Sequence, residues 1–409
     1  MNCRHCKRPL THKFIDLGFA PPSNAYLTEA DLYRPEKYFP LRVMVCDACW
    51  LVQTEDYAQA DELFSADYAY FSSTSSVWLT HAARYAEKMI KSLGLNQNSH
   101  VIEVAANDGY LLKNFVAAGI PCLGIEPTAS TAAAAEKLGI PIWREFFGEA
   151  LGKRLAAEGK QADLIVGNNV YAHVPDINDF TRGLKAALKP GGTITLEFPH
   201  LMQLIEHCQF DTIYHEHFSY LSLFTVKRIF ESAGLRIFDV EQLSTHGGSL
   251  RIYGCHGADI RPNSTAVATL LAEEARRGLQ TLATYQGFQA RADQIKDDLL
   301  LFLIEQKRAG KKVAAYGAAA KGNTLLNYAG VKPDLLPFVC DAATAKQGKY
   351  LPGSHIPILP PSVLSEFAPD YVLILPWNIA EEVIGQNAAL AARGTRFVTA
   401  VPRLTITGC

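Results

Sequence analysis

Two Cys-x-x-Cys pairs near the N-terminus constrain the fold of this chain more than any other feature of its sequence. Cys3 and Cys6 form the first pair, and Cys46 and Cys49 form the second. Four thiolates brought together are the ligand set of a tetrahedral structural zinc. The alternative is a redox role, but a redox site needs only one such pair at the start of a helix. We expect zinc, and because cysteines fill all four positions, this metal should stabilise the fold and take no part in catalysis.

The composition of the 409-residue chain excludes several classes of protein. Hydrophobic residues make up 48% and charged residues 20%, which is typical of a globular protein. The net charge of −2 gives no general attraction to nucleic acids or acidic membranes. No run approaches the ~18 apolar residues of a membrane span, and the N-terminus lacks the apolar core of a signal peptide. We therefore expect a cytoplasmic protein with no nucleic-acid or membrane partner.

A strand, a loop and a helix start follow one another in VIEVAANDGYLLKNF, residues 101–115. A second strand ends in Glu126, where a carboxylate can bind both hydroxyls of a ribose. The loop has one glycine, and its Asp108 would repel a pyrophosphate. It therefore suits a ligand that has a positive charge and no phosphate, such as S-adenosylmethionine (SAM). The candidate cofactor-binding residues are Glu103, Asn107, Asp108, Gly109, Glu126, Asn168 and Asn169.

A second pattern strengthens this interpretation. Residues 189–192 read KPGG and predict a turn before a late strand. Together with the acidic loop, this turn resembles the SAM methyltransferases of the Rossmann-like class. One residue departs from their pattern, because Ala105 stands where they usually have the first glycine of the loop. Its methyl group should crowd the amino-acid end of the cofactor.

Four polar residues are consecutive in the segment QFDTIYHEHFSY, namely Tyr214, His215, Glu216 and His217. No regular element points all four side chains in one direction. Three interpretations are open: a metal site of His-x-His type, a surface loop, or a His–Glu pair that removes a proton. We prefer the third, in which a neutral His217 is the base and Glu216 orients it and stabilises its cation.

Several segments, in the same order, resemble the nucleotide-deoxysugar C-methyltransferases, which methylate C-3 of TDP-linked keto-sugars. These segments are the four cysteines, EVAANDGY, NNVYAHVPD, YHEHFSYLS, YGAAAKGNTLLN and KQGKYLPGSHIPI. The resemblance implies an α/β protein with a zinc module at residues 1–75, a Rossmann-like SAM methyltransferase domain at 76–260 and a C-terminal Rossmann-like domain at 261–409. It also implies that the last domain lacks a redox cofactor and that the sugar nucleotide lies between the second and third domains.

The same resemblance implies roles for individual residues. His217 matches the general base of the family, beside Glu216 and Tyr214. His173 and Tyr68 match auxiliary residues near the keto-sugar. Tyr68 belongs to a segment rich in Tyr and Ser, residues 67–78, which reads as a poor helix and as a loop that could line a ligand.

The C-terminal third contains a candidate site for a diphosphate. Residues 312–317 predict a strand that enters a turn, and residues 318–323, which include Lys321, open the helix that follows. A helix N-terminus with a lysine suits a diphosphate, and the alternative is a simple strand-to-helix turn with a solvated lysine. Residues 264–309 predict a long helix, which Gly278 and Gly287 can break. The candidate substrate-binding residues are Lys321, Asn323, Lys346 and Gln347.

Three functions remain open at this point. The first, which we expect, is a SAM-dependent C-methyltransferase acting next to the ketone of a TDP-linked deoxy keto-sugar. The second is an O- or N-methyltransferase in which His217 activates a hydroxyl. The third is a non-catalytic, zinc-anchored interaction module whose SAM site has decayed, as Ala105 would suggest. A monomer is compatible with the sequence, which does not by itself fix the oligomeric state.

Overall fold

Three β-sheets organise the protein. The computed structural model describes residues 1–55, 71–74 and 76–407. One sheet is small and antiparallel, and the other two are mainly parallel with helices between their strands. This architecture confirms the predicted α/β class, with a small N-terminal module followed by two Rossmann-like units. Among the described helices, none is both long and apolar enough to cross a membrane.

The N-terminal sheet has four strands, one of which comes from much later in the chain. Its order is β1 (His12–Ala20), β2 (Phe39–Val45), β3 (Val52–Thr54) and β9 (Ser219–Tyr220). In the last pairing, Gln53 lies opposite Ser219 and Val52 opposite Tyr220. The residues directly after the YHEH segment therefore complete the sheet of the N-terminal module.

The second sheet has seven strands, in the order β10-β11-β8-β7-β4-β5-β6. The strand that comes first in the chain is β4, with the sequence VIEV. It is buried along its whole length, as expected of a parallel strand covered on both faces. The strands are β4 (Val101–Val104), β5 (Cys122–Ile125), β6 (Ile142–Trp143), β7 (Ala162–Asn168), β8 (Leu188–Pro199), β10 (Leu235–Leu243) and β11 (Ser249–His256). All neighbours are parallel except at β8-β11 and β11-β10, where an antiparallel hairpin forms one edge.

Helices connect these strands on both faces of the sheet. They are α1 (Ser76–Leu93), α2 (Leu112–Ala117), α3 (Ala129–Glu136), α4 (Glu149–Ala157), α5 (Ile177–Ala187), α6 (Leu201–Glu206) and α7 (Leu223–Ser232). The turn predicted at residues 189–192 is instead part of β8, whose pairing with β7 shifts register between Ala162 and Leu164. The left-handed φ of 76° at Gly191 accommodates this irregular start.

The predicted helix at residues 264–309 is broken twice. It consists of α8 (Thr265–Arg276), α9 (Leu282–Tyr285) and α10 (Phe288–Arg308). Gly278 and Gly287 have φ values of 77° and 80°, which end a right-handed helix, so the two glycines cause the breaks. The buried carboxylate of Glu274 on α8 accepts hydrogen bonds from two backbone amides at the start of α7, at 2.6 and 2.9 Å.

The third sheet has six strands, in the order β14-β13-β12-β15-β16-β17, and only β17 at the edge is antiparallel. The strands are β12 (Val313–Tyr316), β13 (Val339–Cys340), β14 (Ile358–Leu359), β15 (Tyr371–Ile374), β16 (Arg396–Thr399) and β17 (Thr405–Thr407). The helices are α11 (Ala320–Ala329), α12 (Val363–Phe367), α13 (Ala380–Gln386) and α14 (Ala388–Ala391).

The N-terminal module packs against both larger units. Phe14 on β1 stacks on Phe288 of α10 with ring centroids 4.4 Å apart, inside a core that continues into the third sheet. Cys3, Cys46 and Cys49 belong to a different core, which they share with strands of the second sheet. A metal bound by these cysteines therefore stabilises the junction of the module with the rest of the protein.

Candidate active site

The four predicted metal ligands lie together. Their Sγ atoms are all within 4.8 Å of one another, with Cys3–Cys49 and Cys6–Cys46 at 3.5 Å. Four sulfurs at about 2.3 Å from a tetrahedral zinc are about 3.8 Å apart, so the cluster fits this ion. Gln53 Nε2 also donates a hydrogen bond to Cys3 Sγ, at 3.3 Å. The cysteines thus form a structural zinc site.

A cavity of about 810 Å³ opens between the second and third sheets. Its lining includes Asn24 of the N-terminal module, Ser72 and Trp78, and the loops at the carboxyl ends of the second sheet. It also includes the segment with Thr212, Tyr214 and His217, the start of α11, and Lys346, Pro376 and Asn378 of the third unit. Sites for small molecules usually measure about 300–1,000 Å³. This cavity has room for more than one ligand, and the four cysteines do not line it.

An acidic loop after β4 forms one wall of the cavity. Ala105 and Asn107 have left-handed φ values of 58° and 50°, a conformation that normally favours glycine. Glu126, at the end of β5, accepts hydrogen bonds from the backbone N–H groups of Asn107 and Thr128, both at 2.9 Å. These bonds fix the Glu126 carboxylate at the cavity wall, and it keeps further lone pairs for a ligand.

Three of the predicted cofactor-binding residues do not line the cavity. Glu103 is fully buried within β4, and burial raises its pKa well above the usual range. Asp108 accepts a hydrogen bond from the backbone N–H of Ser73 at 3.0 Å and so holds the 71–74 segment over the loop. Gly109 packs against Ile140 so closely that a side chain has no space, because a Cβ atom would lie 2.4 Å from Ile140 Cδ1. These residues shape the loop from behind instead of facing a ligand.

Two asparagines lie where β7 ends at the carboxyl edge of the sheet, Asn168 as its last residue and Asn169 directly after it, and both line the cavity. The side-chain amide of Asn168 is buried, and neither of its polar atoms has a hydrogen-bond partner among the described residues. Asn169 has a left-handed φ of 53°, and its Nδ2 lies 3.1 Å from His246 Nε2. Buried amides without partners are costly, so this edge is suited to a polar ligand.

His217 faces the cavity as a neutral imidazole. Its Nδ1 lies 2.8 Å from the carbonyl oxygen of Thr212, which places the ring proton on Nδ1 and leaves a lone pair on Nε2. The ring of Tyr214 covers it with a centroid distance of 3.9 Å. Burial, followed by the nearby His173, lowers the pKa of His217 well below its usual value. Its lone pair is therefore available at neutral pH.

Of the two predicted auxiliary residues, only His173 lies in the described part of the chain. Its ring meets that of His217 edge-on, with centroids 4.6 Å apart. Burial lowers the pKa of His173 to about 4, and a hydrogen bond with the backbone carbonyl of Glu216 opposes this shift. Tyr68 lies outside the described residues. The segment that contains it does reach the cavity, through Ser72 and Trp78.

Glu216 is not the partner of His217, which corrects the predicted His–Glu pair. The Glu216 carboxylate is buried and accepts a hydrogen bond from Asn24 Nδ2 at 3.1 Å, while the Thr212 carbonyl orients His217. Burial raises the pKa of Glu216 to about 7. Nε2 of the neighbouring His215 lies 3.4 Å from the carbonyl oxygen of Phe39. Glu216 therefore positions Asn24 at the cavity wall.

Two lysines face the cavity from the third sheet. Lys321, at the start of α11, donates a hydrogen bond to Asn378 Oδ1 at 2.6 Å and lies over the ring of Trp377. Lys346 donates to the carbonyl of Ala318 at 2.8 Å. Burial lowers the pKa of Lys321, and the charge of the nearby Asp211 opposes this shift. This wall is cationic, in contrast to the acidic loop.

Asn323 and Gln347 do not line the cavity, which corrects their assignment as substrate ligands. Asn323 is fully buried and donates to the carbonyl of Ser23 at 2.6 Å. Gln347 donates to the carbonyl of Asp341 at 2.9 Å. Both side chains hold loops in place. The bond to Ser23 explains how the neighbouring Asn24 reaches the site.

Sequence reasoning did not select several residues that line the cavity, including Asn24, His246 and Asn378. Asn24 lies in a proline-rich loop far from any motif. His246 stands before two glycines and a strand, which is a signal for a tight turn that can present a side chain. Asn378 follows β15, and its place at a strand end was the signal that could have identified it.

Comparison with known proteins covers nearly the whole chain. Three family models match in order: "Putative zinc binding domain" at residues 3–64, "Methyltransferase domain" at 78–240 and "C-methyltransferase C-terminal domain" at 244–402. The C-methyltransferase NovU of Streptomyces niveus is 34% identical over 403 residues, which cover 98% of this chain and 95% of NovU.

Two solved methyltransferase structures each match less than half of the chain. A SAM-dependent methyltransferase from Clostridium acetobutylicum is 9% identical, with a TM-score of 0.35, over 44% of this chain and 92% of its own. The glycopeptide N-methyltransferase MtfA, in complex with SAM, is 13% identical, with a TM-score of 0.34, over 43% of this chain and 94% of its own.

Proposed function

Since this chain belongs to the family of C-methyltransferases with an N-terminal zinc-binding domain, we propose that it transfers a methyl group from SAM to the carbon next to the ketone of a TDP-linked deoxy keto-sugar. The observation that carries this proposal is the lone pair of His217 Nε2. It faces one cavity with an acidic wall on the second sheet and a cationic wall on the third.

The acidic wall is the site of the methyl donor. Glu126 accepts the ribose hydroxyls, and the unpartnered amide of Asn168 is available to the polar part of the same ligand. Phe146 and Phe147, which also line the cavity, offer an apolar surface to the adenine. Ala105 lines the cavity with a left-handed φ of 58°, so the loop keeps the backbone conformation that glycine normally provides.

The cationic wall is the site of the diphosphate of the sugar nucleotide. Lys321 and Lys346 supply positive charge, and Ala319 and Ala320 bring the N-terminus of α11 to the cavity. The first amides of a helix have no partner within that helix, and they favour an anion. This arrangement leaves the keto-sugar between the two walls, where His217 and His173 lie.

The reaction requires a base that is neutral and shielded from water. His217 Nε2 takes the proton from the carbon next to the ketone, and the electron pair of the broken C–H bond forms an enolate. When bound, SAM would supply a methyl group on a positively charged sulfur, and the sulfur would depart as a neutral thioether, keeping the electrons of the S–C bond, while the enolate carbon bonds to the methyl carbon. The Thr212 carbonyl holds His217 and supports its cation, and the proton then passes to water.

Solvent deuterium exchange tests the proposal. In D2O and without SAM, the wild-type protein should introduce deuterium next to the ketone of a TDP-linked keto-sugar. His217→Asn should lower this rate by at least about 100-fold, because an amide cannot act as a base near neutral pH. The variant should still bind S-adenosylhomocysteine (SAH) and the sugar nucleotide.

A matched control is His207→Asn, because His207 is exposed, does not line the cavity, and its imidazole hydrogen-bonds with the side chain of Gln203. It should exchange at the wild-type rate. Exchange that persists in His217→Asn would remove His217 as the base. Methyl transfer by a wild-type protein that shows no exchange would instead favour O- or N-methylation.

A further inference from the structure

One histidine at the cavity, His246, has no part in the reaction described so far. It lies in the turn Thr245–Gly247 between β10 and β11, with φ 53° and ψ 25°. This left-handed conformation is unfavourable for a residue with a side chain, and such residues are concentrated at functional sites. Two glycines follow it, also with positive φ. The turn therefore presents this imidazole in a conformation that the surrounding structure must enforce.

Contacts on both sides hold the turn in place. Thr245 Oγ1 donates to Glu197 Oε1 at 3.0 Å on the side of the second sheet. Gln209 Nε2 donates to the carbonyl of Gly247 at 2.7 Å. On the side of the third sheet, a Cβ atom at Gly247 would lie only 2.4 Å from Trp377 Cη2, so the turn and the indole are in close contact.

The hydrogen bonds of His246 determine which of its nitrogens carries the proton. Asn169 Nδ2, which can only donate, lies 3.1 Å from His246 Nε2. Nε2 is therefore the acceptor and Nδ1 carries the hydrogen. Nδ1 has no hydrogen-bond partner among the described residues, and the side chain lines the cavity. The ring of Trp78 meets the imidazole edge-on at 5.1 Å and limits its rotation.

The charge state of His246 agrees with this tautomer. Burial, together with the nearby positive charge of Lys321, lowers the pKa of His246 to about 4. The ring is therefore neutral at neutral pH. A neutral imidazole N–H can donate a hydrogen bond to a developing negative charge and keep its own proton.

His217 and His246 thus line one cavity as the same Nδ1–H tautomer, but hydrogen bonds occupy opposite nitrogens, so His217 offers the lone pair of Nε2 and His246 offers the N–H of Nδ1. We propose that His246 donates its Nδ1–H to the ketone oxygen of the substrate and stabilises that oxygen when it becomes the enolate oxygen. This inference rests on the proposed function. No proton is transferred from His246, since only the hydrogen bond strengthens as the charge on the oxygen grows.

Two substitutions at this position separate the proposed role from a structural one. In His246→Asn, the side-chain amide nitrogen occupies about the same position as Nδ1 of the histidine ring. Asparagine also tolerates the left-handed conformation. In His246→Gln, the side-chain amide nitrogen occupies about the same position as Nε2, so the donor at the Nδ1 position is lost. We expect His246→Gln to lower both deuterium exchange without SAM and methyl transfer by about 10²–10³-fold, the effect of removing one donor to a developing oxyanion. His246→Asn should retain both rates within about tenfold of wild type.

Melting temperature and SAH affinity are measured for the same variants. Unchanged SAH affinity and melting temperature in His246→Gln, with both rates lowered together, would support the proposal. Normal exchange with slower methyl transfer would overturn it, because His246 would then contact the methyl donor. Equal losses in both variants with a lower melting temperature would also overturn it. If the wild-type protein shows no exchange, the proposed function fails first, so the two failures are distinguishable.

Discussion

The loops after β4 and β12 occupy equivalent places in two parallel sheets, and they face the same cavity with opposite charge. In each sheet, a carboxylate from the neighbouring strand accepts a hydrogen bond from the loop backbone. Glu126 accepts from Asn107 at 2.9 Å, and Asp341 accepts from Ala318 at 2.7 Å. The backbone arrangement is therefore shared, and the difference lies in what surrounds each carboxylate.

Glu126 lines the cavity, whereas Asp341 does not, and the ammonium group of Lys346 lies 3.6 Å from Asp341. On the third sheet, the groups that face the cavity are therefore Lys346, Lys321 and the start of α11. One fold thus provides an acidic site for a cationic methyl donor and a basic site for an anionic nucleotide. The comparison teaches that the side chains on these loops, and not the sheet topology, determine which ligand each unit binds.

The largest expected effect comes from reversing the charge of the basic loop. Lys321→Glu should weaken the binding of thymidine diphosphate by roughly 100-fold or more, because a charge-assisted contact of about 1.5–3 kcal/mol is lost and like-charge repulsion is added. SAH affinity should stay within about twofold, since the two loops are separate. Titration calorimetry with each ligand measures both affinities.

Lys307→Glu is the matched control for that variant. It makes the same change of charge on α10 at an exposed ion pair with Asp334, where the effect on ligand binding should be small. If Lys307→Glu weakened thymidine diphosphate binding as much as Lys321→Glu did, the contrast would reflect overall charge and not the loop.

A smaller effect is expected at the acidic loop. Glu126→Gln keeps the shape of the side chain but removes its charge, and should weaken SAH binding by about 1.5–3 kcal/mol, the range for hydrogen bonds to a charged group. The affinity for thymidine diphosphate should not change. Glu136→Gln, at an exposed pair with Arg144, is the control in the same unit. Calorimetry that found normal SAH affinity in Glu126→Gln would mean that Glu126 does not bind the ribose.

The sequence predicted the parts of this site that come from short, continuous segments. The cysteine pairs, the acidic loop with Glu126, His217 and the lysine at the start of α11 were all identified from local patterns. The cysteines were identified from ligand spacing, and the acidic loop and the lysine from strand-to-helix turns, which are visible in a few residues. His217 was identified from a run of four polar residues and from the family resemblance.

The contacts that cross the molecule could not be predicted in the same way. Asn24 and Glu216 are 192 positions apart, and their hydrogen bond exists only because the N-terminal module packs between the two larger units. Because Glu216 and His217 are adjacent in the sequence, a His–Glu pair was predicted. In the fold, the His217 ring instead hydrogen-bonds to the carbonyl oxygen of Thr212. His246 was missed because its orientation depends on Glu197, Gln209 and Trp377, which are distant in sequence.

The most direct test of the central claim is the chemical identity of the product. The wild-type protein is supplied with SAM labelled with ¹³C in its methyl group and with a TDP-linked keto-sugar, and the product is examined by ¹³C NMR. The account predicts a labelled methyl group bonded to the carbon next to the ketone, with a coupling between the two carbons if that carbon is also labelled. A labelled methyl group on oxygen or nitrogen would contradict it.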